Sequence, residues 1–128
     1  MQINDFFYLL EKKILIMDGH EGVCDASKRQ FTLSGVSIIG PVASVKDVSR
    51  AVSIHEPDAV IIDIRADDCD IVEIADRLDN LKIPFVFAAI STNKRDFVRE
   101  GFNLNGDVAE LRKITRALFL NAVSDVIP

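Results

Sequence analysis

Short apolar runs rich in Val and Ile alternate along this chain with segments of helical period, and this alternation restricts the fold more than any other feature. Each apolar run has the length of a β-strand, and the segments between the runs are long enough for helices. The pattern is typical of βαβ units, in which helices cover both faces of a parallel sheet. The predicted strands span residues 13–17, 36–43, 59–64, 83–90 and 101–105.

Capping signals mark the helices between these strands. Three pairs have the spacing of a capping box, in which an N-cap side chain and an acid three residues later satisfy backbone N–H groups. These pairs are Ser44 with Asp47, Asp70 with Glu73, and Asp107 with Glu110. A less periodic helix after the first strand is expected to stop at Gly35. The sequence therefore predicts an α/β fold with a doubly wound, five-stranded parallel sheet, for which the usual flavodoxin-like order is 2-1-3-4-5.

The residues before the first strand have an apolar pattern of their own. Ile3, Phe6, Phe7 and Leu10 recur at helical spacing, which predicts an extra amphipathic N-terminal helix over residues 1–12. So short a helix is marginal alone in water and is expected to dock on another surface. It packs either on its own domain or, in the interpretation we prefer, on a second copy in a two-fold homodimer. Residues 13–128 are predicted to form the remaining domain.

Composition excludes several classes of function. The net charge is −5 and the chain has no run of Lys and Arg, so a nucleic-acid partner is not expected. The two cysteines, Cys24 and Cys69, lie outside any C-x-x-C spacing, which indicates neither a zinc site nor a disulfide framework. The chain has no apolar stretch of membrane-spanning length and does not begin like a signal peptide. We therefore expect a cytoplasmic protein that has no membrane partner.

Two acids follow strands that the predicted topology makes neighbours. Asp18 follows the first strand and Asp63 the third, and ligands of doubly wound sheets bind outside these strand ends. Two adjacent carboxylates favour a hard cation such as Mg²⁺, and an Asp at such a position is also a candidate nucleophile toward phosphorus. The alternative is that each Asp only forms a turn or caps a helix. His20 beside Asp18 is either a ligand for a softer metal or, more simply, a loop residue.

The sequence at this point resembles a known family, the CheY-like receiver domain of two-component response regulators. The resemblance covers about residues 13–120 and rests on the stretches KILIMD, VSIIGPVASVKDVSRAV, PDAVIIDI and IPFVF. It implies that Asp63 accepts a phosphoryl group from a histidine kinase or a phosphotransfer protein. It also implies that Asp18, Asp63 and the backbone carbonyl of Arg65 hold Mg²⁺.

Three other site positions depart from the family pattern. Gly19 stands where the family has a second acid that contacts the metal, and Ala89 stands where it has Thr or Ser. Leu104, within one residue, takes the place of the family's lysine, which neutralises the phosphoryl charge. Weak Mg²⁺ binding and impaired phosphoryl chemistry are therefore expected. Residues after the fourth strand that are candidates to compensate are Ser91, Thr92, Lys94 and Arg95.

Three classes of function follow from this resemblance and its departures. The first is a stand-alone receiver-like domain in phosphorelay signalling, and the second is a pseudo-receiver that binds another protein without phosphorylation. An enzyme is the least consistent class, because the loop DGHEG lacks the residues of a phosphate cradle and no catalytic triad is apparent. The sequence shows no appended output domain, so a signal is expected to pass through binding of another signalling protein.

Overall fold

A computed structural model describes residues 10–18, 23–65, 68–92 and 98–120 of the chain. Within these residues, five parallel strands form one sheet in the order β2-β1-β3-β4-β5, as the sequence predicted. The strands are β1 (Lys13–Met17), β2 (Ser37–Val42), β3 (Ala59–Asp63), β4 (Phe85–Ile90) and β5 (Phe102–Leu104). The helices are α1 (Asp25–Leu33), α2 (Val45–His55), α3 (Asp68–Asn80) and α4 (Val108–Thr115), which a π-helical segment (Arg116–Leu120) continues. Residues 1–9, which carry most of the predicted N-terminal helix, lie outside the described residues.

The core consists of two layers, one on each face of the sheet. Alternate side chains of β1 and β3 enter opposite layers, which is the period-two pattern of a strand. The layer against α1 and α4 includes Ile14, Ile16, Phe31, Ile61, Leu111 and Ile114. The layer against α2 and α3 includes Leu15, Val48, Val52, Val60, Ile62, Ile74 and Leu78. Every residue of β3 is buried, as expected for a central strand of a parallel sheet.

Two of the three predicted capping signals are confirmed. The Ser44 hydroxyl accepts a hydrogen bond from the Asp47 N–H at the start of α2. The Asp107 carboxylate accepts from the N–H groups of Ala109 and Glu110 at the start of α4. The third prediction was wrong, because α3 begins at Asp68, so Asp70 lies inside the helix rather than at its N-cap. The apolar period that guided this prediction marks only the packed part of a helix, and the first turn of α3 precedes that part.

The end of α1 depends on a glycine, as predicted. Gly35 follows the helix with a φ of +83°, a conformation that residues with a Cβ atom rarely adopt. A Cβ atom built there would lie 2.7 Å from Cδ2 of Leu10, so that exposed side chain would have to move. The chain thus reverses tightly into β2, an edge strand that accommodates Gly40 and Pro41 as expected. Among the described residues, no helix is both long and apolar enough to cross a bilayer.

Candidate acidic site at the carboxyl ends of the strands

The sheet register brings the two candidate acids together. Met17 of β1 pairs with Ile62 of β3, so the residues that follow them, Asp18 and Asp63, occupy adjoining positions. Neighbouring strands are about 5 Å apart, which places the two carboxylates in one local environment. Asp18 is 7% exposed and Asp63 only 1% exposed. Two acids are thus largely removed from water at the point where the winding of the sheet reverses.

The Asp63 carboxylate is bound by the residue two positions later. The Arg65 guanidinium donates through Nε to Oδ1 at 3.2 Å and through Nη2 to Oδ2 at 3.0 Å. The backbone N–H of Arg65 also donates to Oδ1 at 3.0 Å, which closes an Asx-type turn directly after β3. Both carboxylate oxygens therefore accept hydrogen bonds from the same residue. A bidentate arginine pair of this kind is among the strongest ion-pair geometries in proteins.

The same guanidinium reaches the neighbouring strand. Nη2 of Arg65 donates to the carbonyl oxygen of Ile90, the last residue of β4, at 2.6 Å. The Arg65 side chain is 40% exposed, whereas that of Asp63 is 2% exposed, so the pair lies at the boundary between core and solvent. Arg65 therefore joins the carboxyl ends of β3 and β4 and places a positive charge in the acidic site.

Sequence reasoning assigned only the backbone carbonyl of Arg65 to this site and missed its side chain. A signal for the turn was present, because an Asp at a strand end often accepts a hydrogen bond from the backbone N–H two residues later, and that residue here is Arg65. The direction of the guanidinium was not predictable in the same way. It depends on Ile90, which lies on a strand remote in sequence but adjacent in the sheet.

The residues near Asp63 do not fit the metal site that the family resemblance implies. In the part of the chain that the structure describes, no three acidic, histidine or cysteine side chains form a group able to hold a metal ion. Both Asp63 oxygens already accept hydrogen bonds from Arg65. Mg²⁺ requires several oxygen ligands in near-octahedral geometry, whereas a guanidinium with its own positive charge already binds both oxygens of Asp63. This arrangement provides a cation of its own and not an open metal site.

The other predicted site positions are distributed around the strand ends. Ala89 is half-buried in β4 and pairs with Asn103 of β5, whereas Leu104 is buried and packs in the core layer against α1 and α4. Ser91 is buried and its N–H donates to the Leu104 carbonyl, and Thr92 is exposed. The remaining predicted positions, Gly19, His20, Lys94 and Arg95, lie outside the described residues.

A hydrogen-bond network around two buried asparagines occupies the end of β5. Asn103, which is 1% exposed, accepts a hydrogen bond from the Val98 N–H at 2.7 Å and donates to the Val98 carbonyl at 2.9 Å. Its amide also donates to Oε1 of Glu110 on α4 at 2.7 Å. Asn105 is buried as well, and its Oδ1 accepts from the Asp107 N–H. Sequence analysis considered these two positions only as neighbours of Leu104, at the place of the family's lysine, and did not predict the network.

Comparison with known proteins identifies the fold. No protein-family model matches the sequence, and no curated protein matches it significantly. Among solved structures, the response regulator PhyR from Brucella abortus has a TM-score of 0.67 at 14% identity, covering 96% of this chain and 54% of PhyR. The anti-anti-sigma factor PhyR from Bartonella quintana has a TM-score of 0.64 at 16% identity, covering 98% and 55%.

A third solved structure is matched over nearly the whole of its own length. The BeF3-activated conformation of SdrG from Pseudomonas melonis Fr1 has a TM-score of 0.62 at 22% identity, covering 83% of this chain and 94% of SdrG. The chain thus spans about half the length of the two PhyR chains. Together with the strand order, these matches establish that this chain has the receiver-like fold of response regulators.

Proposed function

We propose that this chain is a receiver-like module of two-component signal transduction that acts by binding another signalling protein and not as an enzyme. The observation that carries this proposal is the position of Asp63, which is buried at the carboxyl end of β3 in a receiver-like fold. Asp18 lies beside it at the end of β1. The names of the similar structures, a response regulator and an anti-anti-sigma factor, are consistent with a role in signalling.

Within this proposal, Asp63 is the phosphoacceptor. A carboxylate oxygen attacks the phosphorus of a phosphohistidine on a kinase or phosphotransfer protein, and the bond from phosphorus to nitrogen breaks. The electron pair of that bond stays on the imidazole nitrogen. Phosphoryl transfer depends mainly on positioning and on stabilisation of charge. Gly19, Ala89 and Leu104 supply neither the carboxylate, the hydroxyl nor the cation that the family resemblance implies, so we expect weak Mg²⁺ binding and slow phosphorylation.

One observation favours a second candidate function. The bidentate pair between Arg65 and Asp63 already satisfies both carboxylate oxygens. Oδ1 accepts two of the Arg65 hydrogen bonds and Oδ2 accepts one, so attack by either oxygen competes with at least one of them. This favours a pseudo-receiver, which keeps the fold and binds its partner independently of phosphorylation.

Phosphoryl incorporation separates the two candidates. The protein is incubated with Mg²⁺ and a small donor such as acetyl phosphate, and its intact mass is measured for the unmodified chain, Asp63→Asn and Asp79→Asn. Asp79 is an exposed acid on α3, so its variant controls for the change in charge. A phosphoryl adduct that disappears only in Asp63→Asn supports the phosphoacceptor. The absence of any adduct, together with partner binding unchanged in Asp63→Asn, supports the pseudo-receiver.

A homodimer formed through the N-terminal helix is a separate part of the proposal. The apolar stripe of residues 1–12 supports it, since a receiver-like sheet is complete without that segment. Deletion of residues 1–11 is expected to convert a dimer to a monomer in light scattering and to leave the sheet domain folded. A full-length protein that is monomeric at micromolar concentration would contradict the dimer. We propose a cytoplasmic location for either form.

A further inference from the structure

The Asp63 carboxylate is bound by a cation that belongs to the same chain. Three donors of Arg65, its backbone N–H, Nε and Nη2, bind the two carboxylate oxygens at 3.0 to 3.2 Å. A divalent ion at the same oxygens would have to displace these donors and would be repelled by the guanidinium. The site therefore has a built-in competitor for metal, in addition to the ligand that Gly19 fails to supply.

A second contact holds the competitor in place. Nη2 of Arg65 also donates to the Ile90 carbonyl at 2.6 Å, so the guanidinium is bound at the ends of both β3 and β4. The planar group forms the Asp63 fork and the Ile90 contact together, which a lysine ammonium does not reproduce. The charge of Asp63 is thereby connected to the end of β4, where Ala89 provides no hydroxyl for the same purpose.

We propose that Arg65 replaces the divalent metal ion at Asp63 and couples the charge of that carboxylate to the carboxyl end of β4. This inference deepens the proposed function and rests on one part of it, the assignment of Asp63 as the functional acid. It makes the site independent of metal: the ion pair neutralises Asp63 whether or not Mg²⁺ is present. It also predicts that a change in the charge of Asp63 releases the guanidinium and alters the environment of Ile90.

A double-mutant cycle with MgCl₂ as the only probe tests the first half. Mg²⁺ is titrated into the unmodified protein, Gly19→Asp, Arg65→Gln and the double variant, and the amide chemical shifts of Asp18, Asp63 and Ile90 are followed. Gly19→Asp alone is expected to gain little, because Arg65 still occupies the carboxylate. The double variant is expected to bind at least about tenfold more tightly than Gly19→Asp. Arg50→Gln, which removes an exposed charge on α2, controls for net charge.

The opposite pattern overturns the proposal. If Gly19→Asp alone binds Mg²⁺ as tightly as the double variant, Arg65 is no competitor. If a variant fails to fold, as judged by the dispersion of its amide spectrum, Arg65→Lys takes the place of Arg65→Gln. It keeps the charge but loses the fork, and it is expected to bind Mg²⁺ more tightly than the unmodified protein.

The coupling to β4 has its own readout. In Asp63→Asn the Arg65 Nε–H resonance is expected to move toward that of a solvated arginine, and the Ile90 and Ser91 amides are expected to shift. An unchanged Arg65 resonance overturns the proposal. Neither measurement uses a partner or a phosphodonor. Failure here therefore leaves the proposed signalling function standing, whereas failure of the phosphorylation and binding experiments removes the functional role of Asp63 but not its ion pair with Arg65.

Discussion

Buried polar groups at the carboxyl ends of β3 and β5 are hydrogen-bonded in different ways. At each end, buried polar groups must be satisfied where the sheet meets the loops. At β3 the solution is an ion pair, in which Arg65 binds the carboxylate of Asp63. At β5 the buried group is an uncharged amide, that of Asn103, which binds both backbone groups of Val98 and the Glu110 carboxylate.

The two strand ends differ in where a positive charge lies. The family resemblance implies a cation at the end of β5, where this chain has Asn103, Leu104 and Asn105. The positive charge comes instead from the turn after β3. The strand order is unchanged, because buried apolar runs determine it and the residues at strand ends do not. Site chemistry can therefore differ while the fold is the same, and substitutions at each strand end test this contrast.

The largest effect is expected at the amide network. Replacing Asn103 by Ala leaves the Val98 N–H, the Val98 carbonyl and one Glu110 oxygen without this partner in a half-buried setting. We expect the free energy of unfolding to fall by about 2 to 4 kcal/mol, since each unsatisfied buried group costs about 1 to 3 kcal/mol before relaxation. Urea denaturation measures the change. Asn80→Ala, at the exposed end of α3, is the control and should change stability by less than about 0.5 kcal/mol.

Asn103 also shows which parts of the structure the sequence could predict. The limits of the strands β1 and β3 were predictable almost to the residue, because each buried strand consists largely of consecutive apolar residues. The adjacency of Asp18 and Asp63 followed from topology alone. The partners of Asn103 were not predictable, since they depend on how the segment before β5 packs against α4.

At the end of β3, too, the position of a residue was predictable from the sequence and its partners were not. That Asp63 lies at a strand end follows from the local pattern of residues 59–63. That its carboxylate binds Arg65 depends on the turn after β3 and on the Ile90 carbonyl across the sheet. The limits of a short strand were not predictable either. The strand β5 has only three residues, fewer than the predicted 101–105, because pairing with β4 and not apolar pattern defines its limits.

The second prediction concerns the ion pair. Arg65→Ala removes the partner of a buried carboxylate, a change that costs about 3 to 5 kcal/mol when both groups are buried. The Arg65 side chain is 40% exposed, so solvent screens the pair and we expect a loss of only about 1 to 2 kcal/mol. Arg65→Lys should recover part of this loss, because it restores the charge without the bidentate geometry.

Equilibrium unfolding in urea measures these differences, with Arg50→Ala as the control at an exposed position of α2. If Arg65→Ala were no less stable than Arg50→Ala, the pair would contribute nothing to stability. The contrast between a charged and an uncharged strand end would then concern function alone.

The smallest change in stability is expected when a carboxylate is replaced by an amide after β5, and the same replacement at the end of β3 is its comparison. Asp107 caps α4 by accepting from the Ala109 and Glu110 N–H groups, and its own N–H donates to Asn105 at the end of β5. An amide oxygen caps a helix nearly as well as a carboxylate, so Asp107→Asn should change the free energy of unfolding by less than about 0.5 kcal/mol, whereas Asp107→Ala should cost about 1 kcal/mol.

Asp63→Asn is the counterpart at β3. The amide cannot accept both guanidinium hydrogen bonds, from Nε and from Nη2 of Arg65, because one carboxylate oxygen is replaced by an NH₂ group that is itself a donor. Thermal unfolding of the three variants should therefore rank Asp107→Asn closest to the unmodified protein, and a tolerated Asp63→Asn with an unchanged Arg65 environment would show that charge is dispensable at both ends.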